Sequence, residues 1–309
     1  MKRRHGMALV LVLWVLALLG TLAMGATALN QAEVLLVRNA LDTARLRAAA
    51  EAGVALAVQG LTQPDPALRW RADGTPYAGR FAGVDLRLAV LDETGRIDLN
   101  EADDDLIGAA LSRAGVEPAQ RDALLAAILD FKDEDGERRP HGLEDDDYRA
   151  LGLPYGAKDA PFEDLGELLL VPGMTQETFR RLRPFLTIHP KHGGVNPWRA
   201  EPEVLFALPG ATVEAVEAFL AARALAALDP GLPPPPAPLG IDQRFLTGRT
   251  SGFLTVRVEA ILPGGAALWV EAVIRLNGSA GGGDGQPYDV LSWEEGARSE
   301  SPPREGEAA

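Results

Sequence analysis

The feature that most constrains this chain is an uncharged, apolar run over residues 7–29, which follows Lys2, Arg3 and Arg4 closely. At 1.5 Å of rise per residue, about 23 helical residues extend roughly 35 Å, enough to cross the ~30 Å hydrocarbon core of a bilayer. The basic cluster marks the cytoplasmic side of such a helix. We therefore expect one membrane crossing, with everything after Leu29 in the opposite compartment.

A cleaved secretory signal peptide is the alternative interpretation, because Ala26-Thr27-Ala28 could form a cleavage site. The apolar run is longer than the ~7–15 residues typical of a signal peptide, which favours a retained helix. The helical pattern also continues past the run as an amphipathic stalk, with apolar residues spaced three or four apart. These residues are Val34, Val37, Leu41, Ala44, Ala48, Ala52 and Ala55.

Composition restricts the function classes. The chain has 309 residues, which is long enough for a sizeable core or two domains, and 47% of them are hydrophobic. Its formal net charge of −14 argues against general binding to phosphate backbones or to an anionic membrane surface. It contains no Cys, so disulfides, thiol catalysis and Cys-ligated zinc are excluded.

Turn residues and periodicity divide the remainder into an unusual order of elements. Strands are predicted at 84–90 and 96–99, followed by a long helical stretch and then by strands at 250–260, 267–276 and 288–293. Within the helical stretch, Asn100 is predicted as an N-cap, and Asn196 is predicted to cap a helix that starts at Pro197. The other predicted helices cover 117–131, 176–182, 201–208 and 213–223. The units 170–182 and 207–223 each begin with an apolar Pro-Gly turn before a helix.

The N-terminus resembles that of type IV prepilins and type II secretion pseudopilins. It has a short basic leader ending in Gly6, a hydrophobic helix directly afterwards and a long amphipathic continuation. The resemblance implies that a prepilin peptidase cuts after Gly6 and that the new terminus, Met7, is N-methylated. Most of the family has a Glu at the fifth mature position, where this chain has Leu11. That carboxylate is costly to bury without the terminal amine of a neighbouring subunit, so its absence indicates the filament tip.

Further segments resemble, in order, the type II secretion system protein K family, also called general secretion pathway protein K, the large minor pseudopilins. They lie at 95–100, 129–148, 161–168, 171–173, 195–196 and 288–296. The resemblance implies an α+β fold, with an N-terminal transmembrane and stalk helix and a pseudopilin-type antiparallel sheet. A large inserted all-α domain, SAM-like and containing helix-hairpin-helix units, interrupts the sheet. The expected regions are a leader at 1–6, the transmembrane helix at 7–29, the stalk at 30–62, a first β region at 63–99, the inserted domain at 100–229, a Pro-rich linker at 230–240, a second β region at 241–295 and a flexible tail at 296–309.

An acidic loop is the strongest chemical feature of the helical stretch. Crowded carboxylates repel unless a cation or solvent intervenes, and Ca²⁺ accepts six to eight oxygen ligands at flexible angles. The spacing does not fit an EF-hand. Members of the resembling family bind calcium in the inserted domain, and by position the candidate ligands are Asp130, Asp133, Asp135 and Glu144, with Asp147 as a weaker one. The alternative is a solvated acidic loop, balanced in part by Lys132, Arg138 and Arg139.

The resemblance implies assembly rather than catalysis. The expected role is a minor pseudopilin at the tip of a periplasmic pseudopilus, anchored in the inner membrane and complexed with I-type and J-type minor pseudopilins to support protein secretion across the outer membrane. A membrane-anchored helix-hairpin-helix receptor for DNA is the alternative, since Arg180, Arg181 and Arg183 follow the first Pro-Gly turn. Glu214 and Glu217 stand where phosphate would approach the second turn, so no nucleic-acid partner is expected. No nucleophile motif accompanies His189 and His192, and we expect no enzymatic activity.

Overall fold

The computed structural model describes residues 5–228, 234–238, 240–277 and 286–297. In the first part of the first helix, side chains are described at 9–22, at 24 and from 33 onward. Residues 1–4 of the predicted leader, the Met7 side chain, part of the predicted Pro-rich linker and residues 298–309 of the predicted tail lie outside this description.

A single long helix, α1 (His5–Leu61), forms the N-terminal part of the chain. Its described apolar side chains between 9 and 22 are exposed, including Leu11 at 66%. Among the residues described, no helix reaches the length and apolarity required to cross a membrane.

The C-terminal half of α1 packs on a five-stranded antiparallel sheet in the order β1-β2-β5-β6-β7. The strands are β1 (Asp73–Phe81), β2 (Val84–Asp92), β5 (Phe253–Ile261), β6 (Ala267–Leu276) and β7 (Tyr288–Ala297). The predicted combination of helices with an antiparallel sheet is thus confirmed. Strand β1 was not predicted, because Pro76 and the glycines of this strand hide the alternation of apolar and polar residues.

One face of the sheet and one face of α1 form a common core. Alternate residues of β2, β5 and β6 point into it, as expected for strands with one covered face. Gly53 allows the close approach of the helix, because a Cβ at this position would lie 2.8 Å from Val258 Cγ1. Leu46, Ala50, Val54 and Val58 fill the helix side of this core.

Residues 93–252 separate two strands, β2 and β5, that are neighbours in the sheet. Helices are the main regular structure of this segment, which has its own hydrophobic core. Two short parallel strands, β3 (Ile97–Asp98) and β4 (Leu186–Thr187), lie inside it. The helices are α2 (Asp104–Arg113), α3 (Pro118–Lys132), α4 (Asp145–Ala150), α5 (Gln176–Leu182), α6 (Pro202–Ala207) and α7 (Val213–Leu228).

Two predicted helix starts are wrong. Asp103, rather than Asn100, caps α2 by accepting the Asp105 backbone N–H at 3.0 Å. The Asn100 amide instead joins distant backbone, donating to Phe162 O at 2.9 Å and accepting from Phe162 N at 2.8 Å. No helix starts at Pro197, because the Asn196 side chain holds a turn by accepting the Trp198 N–H at 3.0 Å.

Buried polar contacts join the helical segment to the sheet. Glu93 is 1% exposed and accepts hydrogen bonds from the hydroxyls of Thr187 in β4 and Thr255 in β5. Beside this contact, Arg257 of β5 donates to Glu201, which precedes α6, at 2.7 Å and to Glu271 of β6 at 2.9 Å. The segment is therefore attached to the sheet through directed contacts as well as through the chain.

Candidate functional site

The acidic loop connects α3 to α4 and closes over Asp130, in the last turn of α3. Asp130 is fully buried and accepts the Arg139 backbone N–H at 3.2 Å. The Arg139 guanidinium donates to the other Asp130 oxygen at 2.8 Å. Gly142 follows close by, where a Cβ would lie 1.8 Å from Asp130 Oδ2. The loop can pass over the carboxylate only because residue 142 has no side chain.

Arg139 also joins a second predicted ligand. Its Nη1 atom donates to Oδ2 of Asp133, the residue that caps the end of α3. The other oxygen, Asp133 Oδ1, is buried and has no hydrogen-bond partner among the described residues. The hydrogen bond to Asp133, followed by that to Asp130, raises the pKa of the Arg139 guanidinium above its ordinary value. A permanent positive charge thus lies between two predicted calcium ligands.

Glu144 lies beside this pair, and no ion pair joins it to a cation among the residues that the structure describes. Its Oε1 atom is buried without a hydrogen-bond partner in the described structure. Burial, followed by the charges of Asp130 and Asp133, raises the pKa of Glu144 to about 7. Asp159 adds a further repulsion, although sequence analysis did not identify it. Its signal in the sequence was weak, because Asp159 lies outside the acidic run and is brought near by backbone contacts to Phe131 O.

The two remaining predicted ligands have other partners. Asp135 is exposed and accepts the Glu137 backbone N–H at 2.9 Å, which forms a local turn. Asp147 accepts the Glu144 backbone N–H at 3.0 Å at the start of α4. Its other oxygen accepts from Arg138 Nη1 at 3.0 Å. The structure thus gathers Asp130, Asp133 and Glu144 and places Asp135 and Asp147 at the edge.

The gathered residues have the chemistry of calcium ligands, but they do not form a complete coordination sphere. Within the described ranges, no three His, Cys, Asp or Glu side chains are already arranged to hold a metal ion. The donor set nevertheless consists of carboxylate oxygens, and two of these oxygens are buried without a partner. Such oxygens are expensive to leave unsatisfied, and hard cations prefer oxygen ligands.

The segment that contains the acidic loop is similar to a known protein family. Residues 87–191, which contain the whole acidic loop, match the family model "Type II secretion system (T2SS), protein K". The type II secretion system protein K of Pectobacterium carotovorum subsp. carotovorum is 26% identical over 210 residues, and that of Klebsiella pneumoniae is 27% identical over 203. Over this part, the chain is similar to the type II secretion system protein K family.

The matches to these protein K relatives are partial, whereas the structural match is broad. The Pectobacterium alignment covers 61% of this chain and 64% of its relative, and the Klebsiella alignment covers 60% and 62%. A solved structure, the GspK-GspI-GspJ complex from the enterotoxigenic Escherichia coli type 2 secretion system, contains a similar chain. The TM-score is 0.57 at 18% identity, and the match covers 84% of this chain and 99% of that chain. This likeness establishes a shared fold.

The arginines that suggested a helix-hairpin-helix receptor for DNA pair with carboxylates within the molecule. Arg180 and Arg181 both pair with Glu177 on the same helix, α5. Arg183 pairs with Glu271 and Glu294 of the sheet, at 3.2 Å and 2.8 Å. Phosphate would have to displace these carboxylates, so the structure does not favour the DNA-binding alternative.

Proposed function

We propose that this chain is a minor pseudopilin that forms the tip of a type II secretion pseudopilus and supports protein secretion across the outer membrane. The observation that carries the proposal is the division of α1 into two parts. Residues 46–58 are packed against the sheet, whereas the described apolar side chains of 9–22 and 34–41 are exposed. A helix with so much exposed apolar surface requires a lipid or protein environment.

The apolar part of α1 is proposed to lie in the inner membrane, with the sheet and the helical segment in the periplasm. Processing would remove residues 1–6 and methylate the amine of Met7. We expect mass spectrometry of the chain from a host with prepilin peptidase to find Met7 as the terminus, bearing one additional methyl group. Substitution of Gly6 by Val should leave the leader attached. A mature terminus near Ala28 would instead support the signal-peptide alternative.

The proposed partners are I-type and J-type minor pseudopilins, and the similar chain of known structure was solved in a GspK-GspI-GspJ complex. A shallow groove on α1 offers a surface for neighbouring helices, because small side chains permit close approach. It is lined by Ala40, Thr43, Ala44, Arg47, Ala48 and Glu51. Leu11 fits the tip position, since a subunit with no neighbour above it does not need a carboxylate there.

A mixing experiment tests the assembly role. The full-length chain in detergent, mixed with its I-type and J-type partners, should elute as one complex in size-exclusion chromatography. Ala44→Arg should weaken this complex, because it places a long charged side chain in the groove. Ala55→Arg is the matched control, since Ala55 is also exposed on α1 but lies outside the groove. A wild-type chain that stays alone with both partners would contradict the proposal, and salt-sensitive retention on DNA would favour the receptor alternative.

The acidic loop is proposed to bind calcium, with Asp130, Asp133 and Glu144 as the central ligands. Asp135 and Asp147 would complete the coordination after a rearrangement of their side chains. Calcium would supply the positive charge that the partnerless oxygens of Asp133 and Glu144 lack. Calorimetric titration of the full-length chain should detect binding at millimolar calcium or below. The absence of binding would identify the loop as a solvated acidic surface.

The segment 93–252 is proposed to be an inserted domain that caps the filament tip. Its two Pro-Gly turns support the helix-hairpin-helix prediction, because Gly173 and Gly210 have φ values of 93° and 82° that favour glycine. The first turn precedes α5, and the second connects α6 to α7. We assign these units a structural role in packing helices around the core of the segment.

A further inference from the structure

Arg139 is the residue that the calcium proposal leaves unexplained. A guanidinium between two calcium ligands opposes the binding of a second positive charge. Its Nη1 atom nevertheless contacts Asp130 and Asp133, which are two of the three central carboxylates. Two of the three central carboxylates are therefore already paired with a cation that belongs to the chain itself.

The contacts of Arg139 imitate only part of what a calcium ion provides. A guanidinium donates hydrogen bonds in its own plane, whereas Ca²⁺ accepts six to eight oxygens in all directions. Accordingly, Asp133 Oδ1 and Glu144 Oε1 have no hydrogen-bond partner within the described part of the chain, although Arg139 is in place. Arg139 thus neutralises the loop incompletely.

The Arg139 side chain is able to leave. It is 40% exposed, whereas the Asp130 carboxylate that it contacts is fully buried. The residue lies in the irregular segment between α3 and α4, so its side chain can turn towards solvent without disturbing a helix. Its backbone N–H remains bonded to Asp130 when the side chain moves, because that contact belongs to the main chain.

We propose that Arg139 is a tethered competitor of calcium, which occupies the ion's position in the metal-free protein and swings into solvent when calcium binds. This inference rests on the calcium site proposed above. It explains how so many carboxylates can stay close together without metal. It also makes calcium binding a displacement reaction, with a lower affinity than the same ligands would give alone.

Titration of chelator-stripped, full-length protein in detergent with calcium chloride tests the proposal. Arg139→Gln should bind calcium about tenfold more tightly than the wild type, a change equivalent to about 1.4 kcal/mol. Without calcium the variant should melt at a lower temperature than the wild type, and saturating calcium should remove most of that difference. Arg138→Gln is the matched control: it deletes the neighbouring charge, but Arg138 contacts only the peripheral Asp147. Its affinity should change by less than about threefold.

The guanidinium signal of Arg139 in the wild-type protein provides a second measurement, which remains valid if Arg139→Gln does not fold. With ¹⁵N-labelled arginine, this signal should be restrained without calcium and become mobile at saturation. An unchanged signal at saturation, or equal affinities of wild type and Arg139→Gln, would overturn the competitor role while leaving the calcium site intact. Calcium binding by neither protein would overturn both.

Discussion

Substitution of Gly142 by Ala is the sharpest test of how the acidic loop closes. The new Cβ would lie 1.8 Å from Asp130 Oδ2, whereas carbon and oxygen normally stay about 3.3 Å apart. Either the buried carboxylate or the loop must therefore move by about 1.5 Å. Such a shift breaks the contacts of Asp130 with the backbone and side chain of Arg139. Bonds to charged groups contribute about 1.5–3 kcal/mol each, so we expect a total loss of about 3–6 kcal/mol for the two.

Thermal denaturation of the full-length protein, followed by circular dichroism, measures this loss. For a chain of this size, it corresponds to a lower Tm by about 5–10 °C. Gly136→Ala is the matched control, because a Cβ at Gly136 in the same loop would meet nothing within 4 Å. The control should change stability by less than about 0.5 kcal/mol. Equal melting temperatures for the two variants would refute the closure of the loop over Asp130.

Three further predictions concern stability. Burial raises the pKa of the Asp98 carboxyl above its ordinary value, so the native protein loses stability as pH rises from the ordinary pKa through the raised one. Asp98→Asn removes this titration and should therefore raise the Tm at pH 7 more than at pH 4. The opposite order would contradict this reasoning. Arg257→Met should lower the free energy of unfolding by about 1–2 kcal/mol, because it leaves Glu201 and Glu271 without their common donor. Arg275→Met, which removes a surface pair, should cause no resolvable change in urea denaturation. Gly53→Val should cost about 2 kcal/mol by pushing α1 off the sheet, and an unchanged urea midpoint would show that the helix is not held there.

Elements with strong periodicity could be predicted from the sequence, and elements fixed by distant contacts could not. The predicted 176–182 helix coincides with α5, and the strands at 84–90 and 267–276 correspond to β2 and β6. The predicted strand at 96–99 corresponds to β3, but it pairs with β4 rather than with the main sheet. Asn100 has the character of an N-cap, yet its amide bonds to Phe162, 62 residues away. Local propensity cannot anticipate such a long-range partner.

In the acidic loop, the sequence indicated which charges are present but not how they are paired. Asp130 and Asp133 share the Arg139 guanidinium, and burial, followed by their charges and those of Asp159 and Asp135, raises the pKa of Glu144. Arg138 and Arg139 are adjacent in sequence and were treated alike, although Arg138 points to Asp147 and Arg139 to the buried pair. The difference arises because the loop closes over Asp130 at Gly142, a contact that sequence spacing does not reveal.

This pairing changes how calcium would act in the proposed pseudopilus tip. If the loop depended on metal alone for its shape, removal of calcium would release the repulsion of several carboxylates and unfold it. With Arg139 held by Asp130 and Asp133, the loop retains a closed arrangement in which Glu144 still experiences the repulsion of nearby carboxylates. Calcium would then shift the loop between two folded arrangements. The surface that this segment presents at the tip would differ with calcium concentration while its core remained folded.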